Sequence, residues 1–127
     1  MDTAARPGTL LMRFASDAEA FGAQQIIFTE GDPGECMYVV KQGEVNVLVR
    51  NIIVETIGEG GILGEMALID KAPRSASAIA KTDCQLVRIT EERFKFLVQQ
   101  TPYFALEVMR VMAGRLRNMD LRAKSNT

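Results

Sequence analysis

The spacing of apolar residues changes twice along this chain of 127 residues. The first dozen positions carry a proline and a glycine and then turn apolar, and we expect a helix from about Leu10 to Phe21, within an N-terminal segment of residues 1–22. From Gln24 onward the period becomes two, in short runs rich in β-branched residues, which predicts strands. These runs are IIF, CMYVV, EVNVLVR, IIVETI, SASAIA and CQLVRI.

Turn-forming residues separate the predicted strands, at positions 31–34, 42–43, 50–51 and 58–61. Short strands at this regular spacing are typical of a small β-barrel or jelly roll (a double-stranded β-helix). The chain is long enough for one core. We therefore expect a single domain over residues 1–127, mainly β with flanking helices, whose barrel spans about residues 23–89.

The last third of the chain is predicted to be helical. Thr90 followed by two glutamates is typical of a capped helix start, and Thr101-Pro102 repeats the signal. We expect helices over about residues 91–99 and 102–120, within a C-terminal segment of residues 90–120. The second carries one apolar stripe, formed by Phe104, Val108, Met109, Met112, Leu116 and Met119.

Part of this stripe must face the barrel, and the remainder would be free to pair with a second copy of the chain as a homodimer. The same helix carries four arginines, which we interpret as a solvated basic face. Arg115 is the exception, because it is a candidate ligand contact. These arginines are Arg110, Arg115, Arg117 and Arg122.

Composition excludes several classes of function. Fifteen basic residues balance sixteen acidic ones, so no general attraction to nucleic acid or to an anionic membrane is expected. No apolar run is long enough to span a membrane and no signal peptide is visible, which favours a cytoplasmic location. Histidine is absent. We interpret Cys36 and Cys84 as small buried thiols. We therefore expect neither an enzyme nor a metal site.

The segment GEMALIDKAPRSAS carries the candidate chemistry. Gly64 allows close approach, and a helix starting at Glu65 would direct the N–H groups of Met66 and Ala67 toward an anion. Arg74 would add a planar charged fork and the next residue, a serine, a hydroxyl. The arrangement predicts a pocket for a small phosphorylated sugar. The alternative is a glutamate that favours a helix start and an arginine in a surface loop.

This segment resembles the phosphate-binding cassette of the cyclic nucleotide-binding domain family, F-G-E-x-A-L-x, a short gap, then P-R-x-A-[TS]. The resemblance continues upstream through EGDPGECMYVVKQGEV and downstream through RITEERFKFLVQQTP, so that it covers nearly the whole chain. Bacterial stand-alone domains, cyclic nucleotide-gated channels and catabolite activator-type regulators have similar cassettes. Two positions depart from the family pattern: Gln24 replaces a glycine, and Leu63 replaces an aromatic residue.

The resemblance implies roles for the cassette, residues 62–77. Glu65 is expected to bind the ribose 2′-hydroxyl and Arg74 the cyclic phosphate, with Ser75 on a phosphate oxygen. Val47 or Val49 is expected to contact the base, with plain core packing as the alternative. Arg115 would stack on the purine, since family members commonly close the pocket from this helix. The full predicted ligand site is Leu63, Gly64, Glu65, Met66, Ala67, Arg74, Ser75, Ala76, Val49 and Arg115.

The function implied is a cyclic-nucleotide sensor in which the C-terminal helix acts as a lid and signals to a protein effector. Cyclic AMP is the favoured ligand and cyclic GMP the alternative, with no cofactor and no metal. Family members that regulate transcription carry a helix-turn-helix after this domain. Only AKSNT follows the long helix here, so we expect no DNA binding unless the chain is a piece of a larger regulator. A degenerate scaffold without ligand is the remaining alternative.

Overall fold

The computed structural model describes residues 18–125, with side chains up to residue 118. Within these residues the fold consists of eight strands and three helices. The strands are β1 (Glu19–Phe21), β2 (Ile26–Phe28), β3 (Cys36–Gln42), β4 (Val45–Val49), β5 (Ile52–Ile57), β6 (Ile62–Leu63), β7 (Ser77–Ala80) and β8 (Cys84–Thr90). The helices are α1 (Glu65–Asp70), α2 (Glu91–Gln100) and α3 (Tyr103–Ser125).

The strands form two antiparallel sheets of four strands each, in the orders β1-β8-β3-β6 and β2-β7-β4-β5. Eight strands divided between two sheets is the arrangement of a jelly roll rather than of one closed barrel. The mainly β class with flanking helices is confirmed. All six predicted strand runs are present, and β6 is an additional short strand that leads into the cassette.

The N-terminal prediction is wrong where the structure tests it. Glu19–Phe21 is a strand paired with β8, with Phe21 opposite Cys84, and not the end of a helix. Pairing with the edge of a sheet decided the conformation of this short segment, and its sequence carries no period-two signal long enough to reveal it. The remainder of the predicted helix, residues 10–17, lies outside the described residues.

The core has two parts because β3 is buried on both faces. Met37 and Val39 face one way and pack with helix residues, among them Leu97 and Phe104. The alternate residues of β3 face the opposite sheet, and they pack with residues of that sheet and of their own neighbouring strands. The opposite sheet contributes Val45, Ile57, Ala78 and Ala80, and β6 and β8 of the same sheet contribute Leu63 and Leu86. A strand that is buried on both faces reads as a continuous apolar run, as CMYVV does. Cys36 and Cys84 belong to the second part as buried free thiols, as predicted.

The two C-terminal helices begin where the sequence predicts them, but α3 continues to Ser125 instead of ending near residue 120, so it includes the first residues of AKSNT. The hydroxyl of Thr90 caps α2 by accepting a hydrogen bond from the N–H of Arg93 at 3.3 Å. On α3, Phe104 and Val108 are buried in the core, whereas Met109 and Leu116 are 56% and 62% exposed. The apolar stripe is therefore split between the core and solvent, and the side chain of Met119 lies outside the described residues.

The described residues contain neither a membrane-spanning helix nor a cluster of metal ligands. No helix within residues 18–125 is both long and apolar enough to cross a membrane. In the same part of the chain, no three histidine, cysteine or acidic residues come together in a way that could hold a metal ion.

Candidate ligand-binding site

A cavity of about 760 Å³ lies against the cassette, strands β4 and β5 and one face of α3. Its walls include every residue of the predicted site: Leu63, Gly64, Glu65, Met66, Ala67, Arg74, Ser75, Ala76, Val49 and Arg115. Val47 lines it as well. The fold thus brings together residues that are far apart in sequence, and the volume falls in the range of small-molecule pockets.

The cassette backbone is shaped by left-handed residues at both ends of its helix. Gly64 precedes α1 with φ 78°, and Lys71 ends it with φ 54°. A Cβ atom on Gly64 would lie 2.5 Å from Nη1 of Arg74. Glycine is therefore required here both for the backbone conformation and for the close approach of the arginine.

Arg74 is only 6% exposed, so it is not the surface-loop residue of the alternative interpretation. Its Nη1 donates to the carbonyl oxygen of Gly64 at 3.2 Å, and its Nη2 contacts Sγ of Cys36 at 3.7 Å. The guanidinium also lies over the ring of Phe28, 4.1 Å from the centroid. A permanently charged group is thus held under the cassette, while Nε has no hydrogen-bond partner.

Gly34 provides the space in which this guanidinium lies. A Cβ atom at position 34 would be 2.4 Å from Nε and 2.6 Å from Cζ of Arg74. The loop that carries Gly34 is tied to the same arginine through the backbone: the N–H of Gly31 donates to the carbonyl oxygen of Arg74, and the N–H of Arg74 donates to that of Asp32, both at 2.8 Å. Loop and cassette therefore position each other.

Glu65 is the second buried charge of the site, at 5% exposure. Its Oε2 accepts a hydrogen bond from Nη1 of Arg115 at 2.8 Å. Its Oε1 is buried without a partner. Among the side-chain atoms that the structure describes, Glu65 Oε1 and Arg74 Nε are the buried polar atoms left unpaired. A buried polar group without a partner is costly, which makes both atoms candidates for ligand contacts.

Arg115 lies at the cavity, as predicted, but its guanidinium is engaged by acidic groups. Besides Glu65 it binds Glu55, with Nε to Oε1 at 3.0 Å, and the carbonyl oxygen of Ile62 at 2.7 Å. Burial lowers the pKa of Arg115, but the charges of Glu65 and Glu55 outweigh burial and raise the pKa overall. Arg110 and Arg117, by contrast, are exposed. Stacking of Arg115 on a purine stays a prediction.

The other predicted contacts occupy the cavity wall in different ways. Ser75 and Met66 are exposed, whereas Ala67 is buried and Ala76 half-buried. Val49 and Val47 are half-buried on the cavity side of β4. Opposite them, the ladder of β4 with β5 is irregular, since Val47 pairs with Glu55 and Leu48 with Ile53. Val54 is therefore the extra residue of a bulge in β5.

The sequence analysis missed several residues of the site, and three of them bear directly on its charged groups: Glu55, Phe28 and Gly34. For Glu55 a signal was present, because it lies two positions before the buried Ile57 and shares its face of the strand. Phe28 and Gly34 contact Arg74 from about forty positions earlier in the sequence. No local sequence pattern predicts these contacts.

Comparisons with known proteins point to one family. The sequence matches the cyclic nucleotide-binding domain over residues 18–101. It is 34% identical over 100 residues to the cyclic AMP receptor protein of Thermus thermophilus, covering 75% of this chain and 46% of that protein. It is 36% identical over 86 residues to the cAMP-dependent protein kinase regulatory subunit of Aspergillus niger, covering 66% of this chain and 21% of that protein.

The fold gives the same result. The crystal structure of the Thermus thermophilus catabolite activator protein superposes with a TM-score of 0.80 at 28% identity, over 93% of this chain and 57% of that one. The chain thus spans less than half the length of the curated relatives it matches.

Proposed function

Because the chain belongs to the cyclic nucleotide-binding domain family, we propose that it binds cyclic AMP and acts as a ligand-responsive regulatory module. Cyclic GMP is the alternative ligand. The names of the cyclic AMP receptor protein and of the cAMP-dependent kinase subunit support the adenine nucleotide. A serine after the arginine is compatible with either base, so the ligand has to be established by titration.

The observation that carries the proposal is the pair of unpaired buried atoms, Oε1 of Glu65 and Nε of Arg74. Each costs about 1–3 kcal/mol while it lacks a partner. A ribose hydroxyl donates to a carboxylate, and a cyclic phosphate accepts from a guanidinium, so a cyclic nucleotide would satisfy both atoms at once. The alternative of a scaffold that binds no ligand gives no reason to bury these two groups in the wall of a cavity.

The charge of the cavity supports the same ligand. Three arginines and two glutamates line it, so the wall carries one excess positive charge: Arg50, Arg74, Arg115, Glu55 and Glu65. A cyclic nucleotide carries one negative charge on its phosphodiester. Most of the remaining wall is apolar and suits the flat face of a purine, with Val47, Val49, Ile57 and Leu63 next to Phe28.

Regulation would pass through α3. Arg115 connects this helix to Glu65, the residue proposed to hold the ribose, so a ligand that orders the cassette also stabilises the position of the helix. A ligand with higher affinity for the docked helix shifts the population toward that state. The solvent-exposed Leu106, Met109 and Leu116 of α3 would then present an apolar surface to a protein effector or to a second copy of the chain.

Titration calorimetry of the purified chain tests the proposal directly. Cyclic AMP and cyclic GMP are titrated in parallel, with 5′-AMP as the control because it has the same base and ribose but a doubly charged, open phosphate. Saturable 1:1 binding of a cyclic nucleotide, much tighter than that of 5′-AMP, is the expected result. Absence of binding by both cyclic nucleotides would leave the scaffold as the function and contradict the proposal.

A further inference from the structure

Glu55 is a carboxylate on the inner face of its sheet. It lies directly opposite Val47 in the ladder of β4 with β5, and paired residues of neighbouring strands point to the same side. Val47 packs against the core on that side, and Ile57, two positions further along β5, is buried there. An inward-facing position of this kind favours an apolar side chain, and here it holds a glutamate. Its side chain is 40% exposed and lines the cavity, so the carboxylate is open to the space a ligand would fill.

The contacts of Glu55 leave it able to bind a further donor. Its two oxygens accept from Nε and Nη2 of Arg115 at 3.0 and 3.4 Å. An ionised carboxylate has about four acceptor positions, so positions remain after both bonds are made. Docking of Arg115 does not depend on Glu55 alone, because Glu65 and the carbonyl oxygen of Ile62 hold the same guanidinium.

The position of Glu55 relative to the cassette indicates which part of a ligand it would meet. One guanidinium bridges Glu55 and Glu65, so the two carboxylates are separated by the width of that group. Glu65 is the proposed ribose contact and Arg74 the proposed phosphate contact. The next part of a cyclic nucleotide beyond the ribose is the base, and the wall near Glu55 includes Val47 and Ile57, which suit a purine face.

From these contacts we infer that Glu55 is a specificity residue that accepts a hydrogen bond from the exocyclic amino group of the purine. The inference rests on the proposed function and goes beyond it by assigning the residue that distinguishes one base from another. A carboxylate has acceptors only, so it favours a base that offers an amino donor over the same base without one. Arg115 orients this carboxylate through two hydrogen bonds.

The test compares each cyclic nucleotide with its analogue that lacks the amino group. For cyclic AMP the analogue is purine riboside 3′,5′-cyclic monophosphate, and for cyclic GMP it is cyclic IMP; the pair containing the tighter ligand is used. Calorimetry gives both dissociation constants for the full chain, for Glu55→Ala and for Glu44→Ala. Glu44 is a matched control, since it is an exposed glutamate of the same domain whose partner is Lys81.

We expect the wild-type chain and Glu44→Ala to prefer the amino-bearing ligand about tenfold, and Glu55→Ala to lose that preference. The affinity of Glu55→Ala for the analogue should stay close to the wild-type value, which also shows that the pocket is folded. A wild-type chain that binds both ligands equally, or a Glu55→Ala chain that keeps the preference, overturns this role and leaves the proposed function standing. If the wild-type chain binds no cyclic nucleotide, the proposed function and this inference fail together.

Discussion

Arg115 donates a hydrogen bond to Glu65 across fifty positions of sequence, and the pair joins the long C-terminal helix to the first residue of the cassette helix. This bond uses one oxygen of Glu65, Oε2, and the other oxygen, Oε1, is buried without a partner. The carboxylate can therefore bind the helix and a ligand hydroxyl at the same time. This dual role links the binding site to the element proposed to carry the signal.

Arg74→Ala should weaken binding of the cyclic nucleotide at least about tenfold, since a charge-assisted hydrogen bond is worth about 1.5–3 kcal/mol. Calorimetry measures the affinity, and thermal unfolding checks that the buried site tolerates the change. Arg117→Ala removes an exposed arginine of α3 and serves as the control, with affinity expected to be unchanged. Wild-type affinity in Arg74→Ala would falsify the assignment of the phosphate contact.

Arg115→Ala should loosen α3 and speed ligand release. In the wild-type chain we expect hydrogen exchange of the amides from Val108 to Asn118 to slow when the ligand is added, because the ordered cassette holds the helix through Arg115. In Arg115→Ala this added protection should be much smaller, and stopped-flow displacement should show faster dissociation. If protection changes only within residues 64–77, and release is unaffected, the pocket is static and α3 is simply part of the core.

Phe28→Ala should weaken ligand binding several-fold by removing the ring that lies under Arg74. A cation–π contact of this kind contributes about 0.5–2 kcal/mol, more when the site is shielded from water. Phe28→Tyr is the matched control, because it keeps an aromatic face. Calorimetry on both variants should give a loss for alanine and near wild-type affinity for tyrosine. Equal losses in the two variants would show that packing, and not the ring face, is what Arg74 requires.

Gly34→Ala and Gly114→Ala should change stability in opposite directions. At position 34 a methyl group meets Arg74 and also Ala67, at 2.9 Å, so we expect a loss of about 1–3 kcal/mol together with weaker ligand binding. At position 114, within α3, nothing lies within 4 Å of the added atom. Alanine there should gain about 0.5–1 kcal/mol from its helix propensity. Urea unfolding measures both values, and destabilisation by Gly114→Ala would contradict the helix as described.

Sequence reasoning succeeded where the determining information is local. Period-two runs predict six of the strands, and Thr90 with its glutamates marks the start of α2, because capping and alternation act within a few residues. The cassette motif likewise predicts residues that all line one cavity. Each of these signals can be read without knowing what lies opposite in space.

It failed where distant residues decide the outcome. β1 is a strand only because β8 offers an edge to pair with, so its three residues carry no strong signal of their own. Gln24 adopts φ 72°, the left-handed conformation that the family supplies with glycine, and it does so while its N–H bonds the carbonyl oxygen of Ala80 at 2.7 Å. The involvement of Glu55, Phe28 and Gly34 in the site follows from contacts that only the folded chain creates.

Among the strands that the structure describes, β5 is an edge strand that pairs with β4 alone. The groups proposed to hold phosphate and ribose, by contrast, are fixed in the cassette and buried beneath it. The residue proposed to select the base is therefore on an edge strand, whereas the residues proposed to bind the ribose and the phosphate are buried. If Glu55 selects the base as proposed, its substitution would alter ligand preference at less cost to folding than substitution of the buried cassette residues. A domain of this kind could then change its ligand during evolution while keeping its ribose and phosphate contacts.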